Sequence, residues 1–198
     1  VRFSTGACVL DLPLPALAGP HQVSNMATGL AAVLELLPEA ANAAAGIARG
    51  LRAVTLPGRL ERLAERPALC LDVGHNPLVA RAVAAALGEW LAAGRIRQCR
   101  CVLAMLADKD AAGVVSELRD LVAAWYCAGT LGSRGQDAGQ LAARIRDAAG
   151  ASPVRCFARV AAALDAAIAE AAPDEGVLVF GSFLTAAEAG RHWRGGGR

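Results

Sequence analysis

Hydrophobic and polar positions follow two alternating patterns along most of the chain. From about residue 60 onward, short apolar runs alternate with longer Ala/Leu stretches in which Leu, Val and Ile recur at three- and four-residue steps. This alternation is typical of βαβ units on a mostly parallel sheet. It predicts strands at residues 60–65, 69–73, 99–105, 122–128, 154–157 and 177–181. It predicts helices at residues 77–92, 110–119, 136–148, 158–172 and 183–193.

The first two predicted strands are joined by a turn at Arg66-Pro67, which is too short for a parallel crossover. One of them is therefore predicted to be antiparallel. Residues 1–55 follow a different pattern, because a proline-punctuated segment leads into two helical stretches at 21–36 and 39–49. The Leu56-Pro57-Gly58 turn marks the boundary. We therefore predict an α/β domain at 56–198 and the tail of a different domain at 1–55.

Composition and charge narrow the classes of function. The 198 residues carry a net charge of +2, with twenty basic residues scattered among eighteen acidic ones, which gives no footprint for nucleic acid. No apolar run reaches the ~18 residues of a membrane helix, and the start does not resemble a signal peptide. We therefore expect no membrane partner, a cytoplasmic location and a monomer. Because the first residue is Val, we also expect the chain to be a piece of a longer one.

Six cysteines are present, of which Cys70, Cys99, Cys101 and Cys127 fall inside predicted strands. No Cys-x-x-Cys pair occurs, and no histidine lies near enough in sequence to complete a usual zinc pattern. We predict reduced, buried thiols and no metal site within this chain.

Polar loops follow four of the predicted strands. In an open α/β sheet, ligands bind at the carboxyl ends of the strands, where loops and helix N-termini supply free N–H groups. The four loops are Asp72-Val73-Gly74-His75-Asn76-Pro77, Leu106-Ala107-Asp108-Lys109-Asp110, Gly129 through Gly135 with Arg134, and Gly181-Ser182-Phe183. The sequence therefore predicts a site at one edge of the sheet.

Local structure offers an alternative explanation for several of these residues. Asn76 before Pro77 is a good helix cap, and Ser182 has the same chemistry at the last helix. The acids of the Asp-Lys-Asp loop can complement a helix dipole. Other chemistries fit poorly, since the chain contains no GxSxG elbow, no GxGxxG and no GxxxxGK[ST] loop.

A series of short motifs spans nearly the whole chain. In order, they are Gly19-Pro20-His21-Gln22 with Asn25, Leu56-Pro57-Gly58-Arg59, Asp72 through Pro77, Met105-Leu106 with Asp108-Lys109-Asp110, Trp125-Tyr126 with Arg134-Gly135, and Gly181-Ser182-Phe183. This series resembles bacterial folylpolyglutamate/dihydrofolate synthases, which are relatives of the Mur ligases. The resemblance implies that residues 56–198 form the Rossmann-like, three-layer C-terminal domain of these ligases. It implies that residues 1–55 are a remnant of their central ATPase domain.

The resemblance also implies a reaction. ATP would phosphorylate the carboxylate of dihydropteroate or tetrahydrofolate, and the amine of L-glutamate would attack the acyl phosphate through a tetrahedral intermediate. Magnesium is the implied cofactor, with its ligands and the P-loop in a part N-terminal to this chain. The isolated chain is accordingly expected to be inactive.

Residue roles are carried over in the same way. The resemblance implies that Asn25 approaches the adenine, Arg59 the phosphates and Asp72 the ribose hydroxyls of ATP. It implies that His75 reaches toward the phosphates and the incoming glutamate, so that His75 and Arg59 are the expected catalytic residues.

Three further residues, Asn76, Lys109 and Ser182, are implied to hold the carboxylates of glutamate. Two alternatives stay open at this point. One is a Mur-type ligase acting on a peptidoglycan precursor, and the other is a non-catalytic α/β nucleotide-binding or interaction module.

Overall fold

The repeating strand and helix patterns of the sequence form a single six-stranded sheet. We describe residues 1–6 and 8–196 from a computed structural model. The strands of this sheet are β3 (Glu61–Glu65), β4 (Ala68–Asp72), β5 (Cys99–Leu103), β6 (Val122–Ala128), β7 (Val154–Phe157) and β8 (Gly176–Phe180). Their helices are α3 (Pro77–Ala92), α4 (Ala111–Leu118), α5 (Ala138–Ala149), α6 (Val160–Glu170) and α7 (Phe183–Gly195).

The strand order is β3-β4-β8-β5-β6-β7. Strand β3 pairs antiparallel with β4, and all other neighbours are parallel. This arrangement confirms the predicted fold class, including the single antiparallel strand. Asp72 and Leu103 both lie in register with Phe180, so β4, β8 and β5 end at the same level. The loops after these three strands therefore meet at one edge, as predicted.

Helices cover the sheet in two layers. Leu71, Val102 and Val179 on one face pack in a buried cluster with Leu164 of α6 and Ala189 of α7. Helices α3, α4 and α5 pack against one another. Because side chains alternate along a strand, Cys70 and Cys101 lie on the face that does not carry this cluster.

All six cysteines are free, as predicted, and the four in β4, β5 and β6 are buried, whereas Cys156 in β7 is not. Burial raises the pKa of the Cys70, Cys99 and Cys127 thiols to about 12, because a thiolate loses its hydration there. These thiols therefore stay protonated and pack as small hydrophobes. Cys156 is exposed and Cys8 is half-buried.

A charged cluster lies at the amino-terminal edge of the sheet. The Glu175 side chain is 2% exposed and accepts hydrogen bonds from Arg97 (2.6 Å), Arg100 (2.9 Å) and Gln98. Arg100 also donates to the Tyr126 hydroxyl at 3.0 Å. Burial by itself would raise the pKa of Glu175, but the hydrogen bonds from Arg100 and Gln98 outweigh it and hold that pKa below its usual range. The cluster ties the start of β8 to β5.

The chain divides into two compact units, Val1–Leu56 and Pro57–Arg198. The first contains β1 (Arg2–Ser4), β2 (Val9–Asp11), α1 (His21–Leu36), a 3-10 helix (Pro38–Ala43) and α2 (Ala44–Ala53). Strands β1 and β2 form an antiparallel pair whose Phe3 and Leu10 pack with Leu12 and Leu30. This pair leaves no signal in the local pattern, because strands of three residues are too short to show alternation. Among the described residues, no helix is both long enough and apolar enough to cross a membrane.

Candidate active site

The turn before β3 is fastened to the end of β4 by the carboxylate of Asp72. Asp72 is 4% exposed, and its two oxygens accept from the backbone N–H groups of Leu60 (3.0 Å) and Gly74 (2.7 Å). Leu60 has a φ of +45°, a conformation that costs a non-glycine residue about 1–2 kcal/mol. The hydrogen bond to Asp72 holds Leu60 in this conformation.

A second backbone contact joins the same two segments. Val73 N–H donates to the Gly58 carbonyl at 2.9 Å. Gly58 has a φ of +70°, and a Cβ at this position would lie 2.5 Å from Val73 Cγ1. Arg59, which is half-buried, therefore lies between two residues that are both bound to the end of β4. Within residues 1–6 and 8–196, its guanidinium forms no ion pair.

The Gly74-His75 turn comes close to the neighbouring strand β8. A Cβ on Gly74 would lie 2.5 Å from the Phe180 ring, so only glycine fits there. His75 is half-buried, and its Nδ1 lies 3.1 Å from the Val73 carbonyl oxygen. Because a carbonyl can only accept, Nδ1 carries the proton of this hydrogen bond. In the neutral ring, Nε2 is then the acceptor.

Asn76 and Ser182 cap the helices that follow their strands. Asn76 Oδ1 accepts from Val79 N–H at 3.0 Å at the start of α3, and Pro77 occupies the first turn. Ser182 Oγ accepts from Thr185 N–H at 3.0 Å at the start of α7. Capping is thus a structural role of both side chains, whereas their contact with glutamate stays a prediction.

The Asp108-Lys109-Asp110 loop follows β5. Asp108 pairs with Arg134 at 2.5 Å, and this hydrogen bond lowers the pKa of the carboxyl. The Lys109 side chain is 30% exposed, and its ammonium lies 3.7 Å from Asp108, a loose contact that leaves its donors available. Asp110 caps α4 by accepting from Gly113 N–H at 2.8 Å.

The loop after β5 lies beside the loop after β4 because of Gly113. A Cβ there would lie 2.3 Å from Asp110 Oδ2 and 2.8 Å from Pro77 Cγ. The first turns of α3 and α4 are thus in contact at a position that tolerates no side chain. Helices α3, α4 and α7 all begin at this edge, where their N-terminal N–H groups favour anions.

Four polar residues that the sequence analysis did not single out organise this edge. They are Thr130, Gln136, Arg144 and Thr185. Gln136 Nε2 donates to the Met105 carbonyl at 2.8 Å, and Thr185 Oγ1 donates to the Ala104 carbonyl at 2.7 Å. No local pattern could have identified them, because their partners lie 31 and 81 residues away.

Asn25 belongs to the other compact unit. It is exposed on α1, and its side-chain amide donates to Gln22 at 3.0 Å. The remaining predicted residues, Arg59, Asp72, His75, Asn76, Lys109 and Ser182, belong to the unit Pro57–Arg198. All but Arg59 lie at the carboxyl ends of β4, β5 and β8, and Arg59 is bound there through its neighbours.

Fold and site together define an α/β domain with cationic groups and helix N-termini at one sheet edge, an arrangement that suits anionic groups. Residues 58–183 match the family described as Mur ligase, glutamate ligase domain. The chain belongs to this family, because the match covers more than half of its length.

Similar proteins carry names that include folylpolyglutamate synthase. Dihydrofolate synthase/folylpolyglutamate synthase of Escherichia coli is 37% identical over 177 residues, which are 89% of this chain and 38% of that protein. Escherichia coli FolC in complex with DHPP and ADP has a TM-score of 0.78 and 32% identity, and the match covers 100% of this chain and 44% of that one.

A third relative, a bifunctional folylpolyglutamate synthase/dihydrofolate synthase with Mn, AMPPNP and L-glutamate bound, has a TM-score of 0.74 and 34% identity. That match covers 96% of this chain and 43% of the other. The chain therefore spans less than half the length of each of these relatives.

Proposed function

We propose that this chain is the C-terminal part of an ATP-dependent ligase that joins L-glutamate to dihydropteroate, to tetrahydrofolate or to both. The observation that carries the proposal is the fastening of the Gly58-Arg59-Leu60 turn to Asp72 at an edge that also holds His75 and Lys109. The names of the relatives support the folate branch over a peptidoglycan-precursor ligase. Residues 1–55 would be the end of the central ATPase domain, and residues 56–198 the C-terminal domain.

The proposed reaction has two steps. The carboxylate of the folate substrate attacks the γ-phosphorus of ATP, which gives an acyl phosphate and ADP. The amine of glutamate then attacks the acyl carbon, the tetrahedral intermediate collapses, and inorganic phosphate leaves with the C–O electron pair. Positioning and charge neutralisation supply most of the catalysis in such a reaction.

Nucleotide contacts are proposed for four residues. Arg59 would bind phosphate oxygens, because its guanidinium has no competing ion pair among the described residues. Asp72, whose two oxygens also accept from backbone N–H groups, would contact the ribose hydroxyls. His75 would act near the transferring phosphoryl group, and Asn25 would approach the adenine.

Glutamate contacts are proposed for Lys109, Asn76 and Ser182. The Lys109 ammonium fits a carboxylate, because its one ion pair among residues 1–6 and 8–196 is a 3.7 Å contact with Asp108. No group of three His, Cys, Asp or Glu side chains within the described residues could hold a metal ion. The ligands of Mg²⁺ would lie in the N-terminal part of the full-length enzyme. The cytoplasmic location and the monomeric state stay predictions.

The test uses the full-length enzyme that contains this sequence. Phosphate release should require ATP together with both glutamate and dihydropteroate or tetrahydrofolate. Arg59→Gln should reduce this release strongly, whereas Arg95→Gln, an exposed arginine at the amino-terminal end of β5, should not. Phosphate release that does not depend on glutamate, or does not depend on dihydropteroate or tetrahydrofolate, would contradict the proposal. Equal rates in the two variants would contradict it as well.

A further inference from the structure

A series of hydrogen bonds, buried at Ser182 and Thr185 and exposed at Arg144, joins Ser182 to Lys109 through the end of β5. Thr185 Oγ1 uses its only proton to donate to the Ala104 carbonyl at 2.7 Å. The 2.7 Å contact between the Ser182 and Thr185 hydroxyls must then take its proton from Ser182. The Ser182 hydroxyl is thereby fixed in direction by Thr185, whose side chain is 1% exposed.

The hydrogen bonds on the Lys109 side begin at Met105, the residue after Ala104. The Met105 carbonyl accepts from Gln136 Nε2 at 2.8 Å, and Gln136 is 6% exposed. Gln136 Oε1 accepts from Arg144 Nη1 at 3.0 Å, and Arg144 Nη2 donates to the Lys109 carbonyl. The backbone of Lys109 is thus connected to Met105, and Ser182 is connected to the adjacent residue, Ala104.

Close packing leaves this arrangement little freedom. Gly181 has a φ of +133°, and a Cβ there would lie 2.3 Å from the Ala104 carbonyl oxygen. Ala104 N–H in turn donates to the Phe180 carbonyl at 3.2 Å. The turn after β8 and the end of β5 are therefore packed directly against each other.

We propose that Thr185 and Gln136 are positioning residues that set the spacing of the two loops that bind the carboxylates of glutamate. The inference rests on the proposed function, since it takes the Ser182 turn and the Lys109 loop as glutamate contacts. Because the Ser182 proton is donated to Thr185, the donors that the Ser182 turn offers a carboxylate are the backbone N–H groups at the start of α7. Loops fixed to adjacent residues of one strand have a constant separation. A dicarboxylate one methylene shorter, such as aspartate, cannot span it equally well.

The experiment measures Michaelis constants of the full-length enzyme for glutamate and ATP separately. Thr185→Val, which keeps the shape and removes the hydroxyl, and Gln136→Leu should each raise KM for glutamate about tenfold, the size expected for one buried hydrogen bond. KM for ATP should stay within about twofold of wild type. The ratio of kcat/KM for glutamate to that for aspartate should fall in both variants.

Two controls separate positioning from general stability. Thr185→Ser keeps the hydroxyl and should restore the wild-type constants. Ser152→Ala removes a matched hydrogen bond, from Ser152 Oγ to the Val122 carbonyl at 2.9 Å at the opposite end of the sheet, and should leave them unchanged. Unchanged glutamate KM in both Thr185→Val and Gln136→Leu, or equal rises for ATP and glutamate, would overturn the inference. An inactive wild-type enzyme would instead overturn the proposed function.

Discussion

The carboxylate of Asp72 offers the sharpest test of how this site is built. Asp72→Asn keeps the volume of the side chain but leaves one oxygen where two now accept from Leu60 and Gly74. One buried N–H then loses a charged acceptor and faces an amide N–H₂ group. Loss of a hydrogen bond to a charged group costs about 1.5–3 kcal/mol. Without that bond, the strained conformation of Leu60 at φ +45° is no longer stabilised.

We therefore expect Asp72→Asn to lower the free energy of unfolding by about 2–3 kcal/mol. Urea unfolding followed by tryptophan fluorescence measures this loss, because all three tryptophans, Trp90, Trp125 and Trp193, belong to the unit Pro57–Arg198. Asp120→Asn is the matched control, since its side chain is 88% exposed and its replacement should change the free energy by less than about 0.5 kcal/mol.

Kinetics of the full-length enzyme supply the functional half of this prediction. The hydrogen bond from Leu60 N–H to Asp72 is taken to position Arg59, and Asp72 is also proposed to contact the ribose. Asp72→Ala should therefore mainly raise KM for ATP. A wild-type unfolding midpoint in Asp72→Asn would refute the energetic argument. A destabilised Asp72→Ala enzyme with an unchanged KM for ATP would refute the positional one.

Three further predictions concern other parts of the molecule. His75→Ala in the full-length enzyme should mainly lower kcat, and wild-type kinetics in a folded variant would mean that His75 only shapes its turn. The isolated chain should fold but release no folate- and glutamate-dependent phosphate, because it contains no GxxxxGK[ST] loop; robust release beside a full-length control would contradict this. Glu175→Gln should be less stable than wild type at neutral pH. Because the pKa of Glu175 is lowered on folding, the difference in unfolding free energy should persist above the unfolded pKa of about 4.3 and shrink as pH falls below it. A difference that is constant from pH 7 to about pH 3 would exclude this carboxylate as the source.

Several features of the protein follow from the sequence alone. The alternation of short apolar runs with longer stretches of helical periodicity predicted the helices and strands of the unit Pro57–Arg198 to within a few residues. The short Arg66-Pro67 turn predicted the antiparallel strand. The carboxyl ends of parallel strands lie at the same edge of a sheet. Each polar motif follows a strand in the sequence, so the motifs could be predicted to lie at that edge.

Other features depend on contacts between distant residues, which local periodicity does not record. Strand β8 is the last in sequence but lies between β4 and β5, and this insertion brings Thr185 to Ala104. Asn76, Asp72 and Ser182 read as ligand groups in the sequence, yet each also satisfies a backbone N–H of its own turn. Gln136 and Arg144 acquire a role only because the fold places them against the end of β5, where buried carbonyl groups need donors.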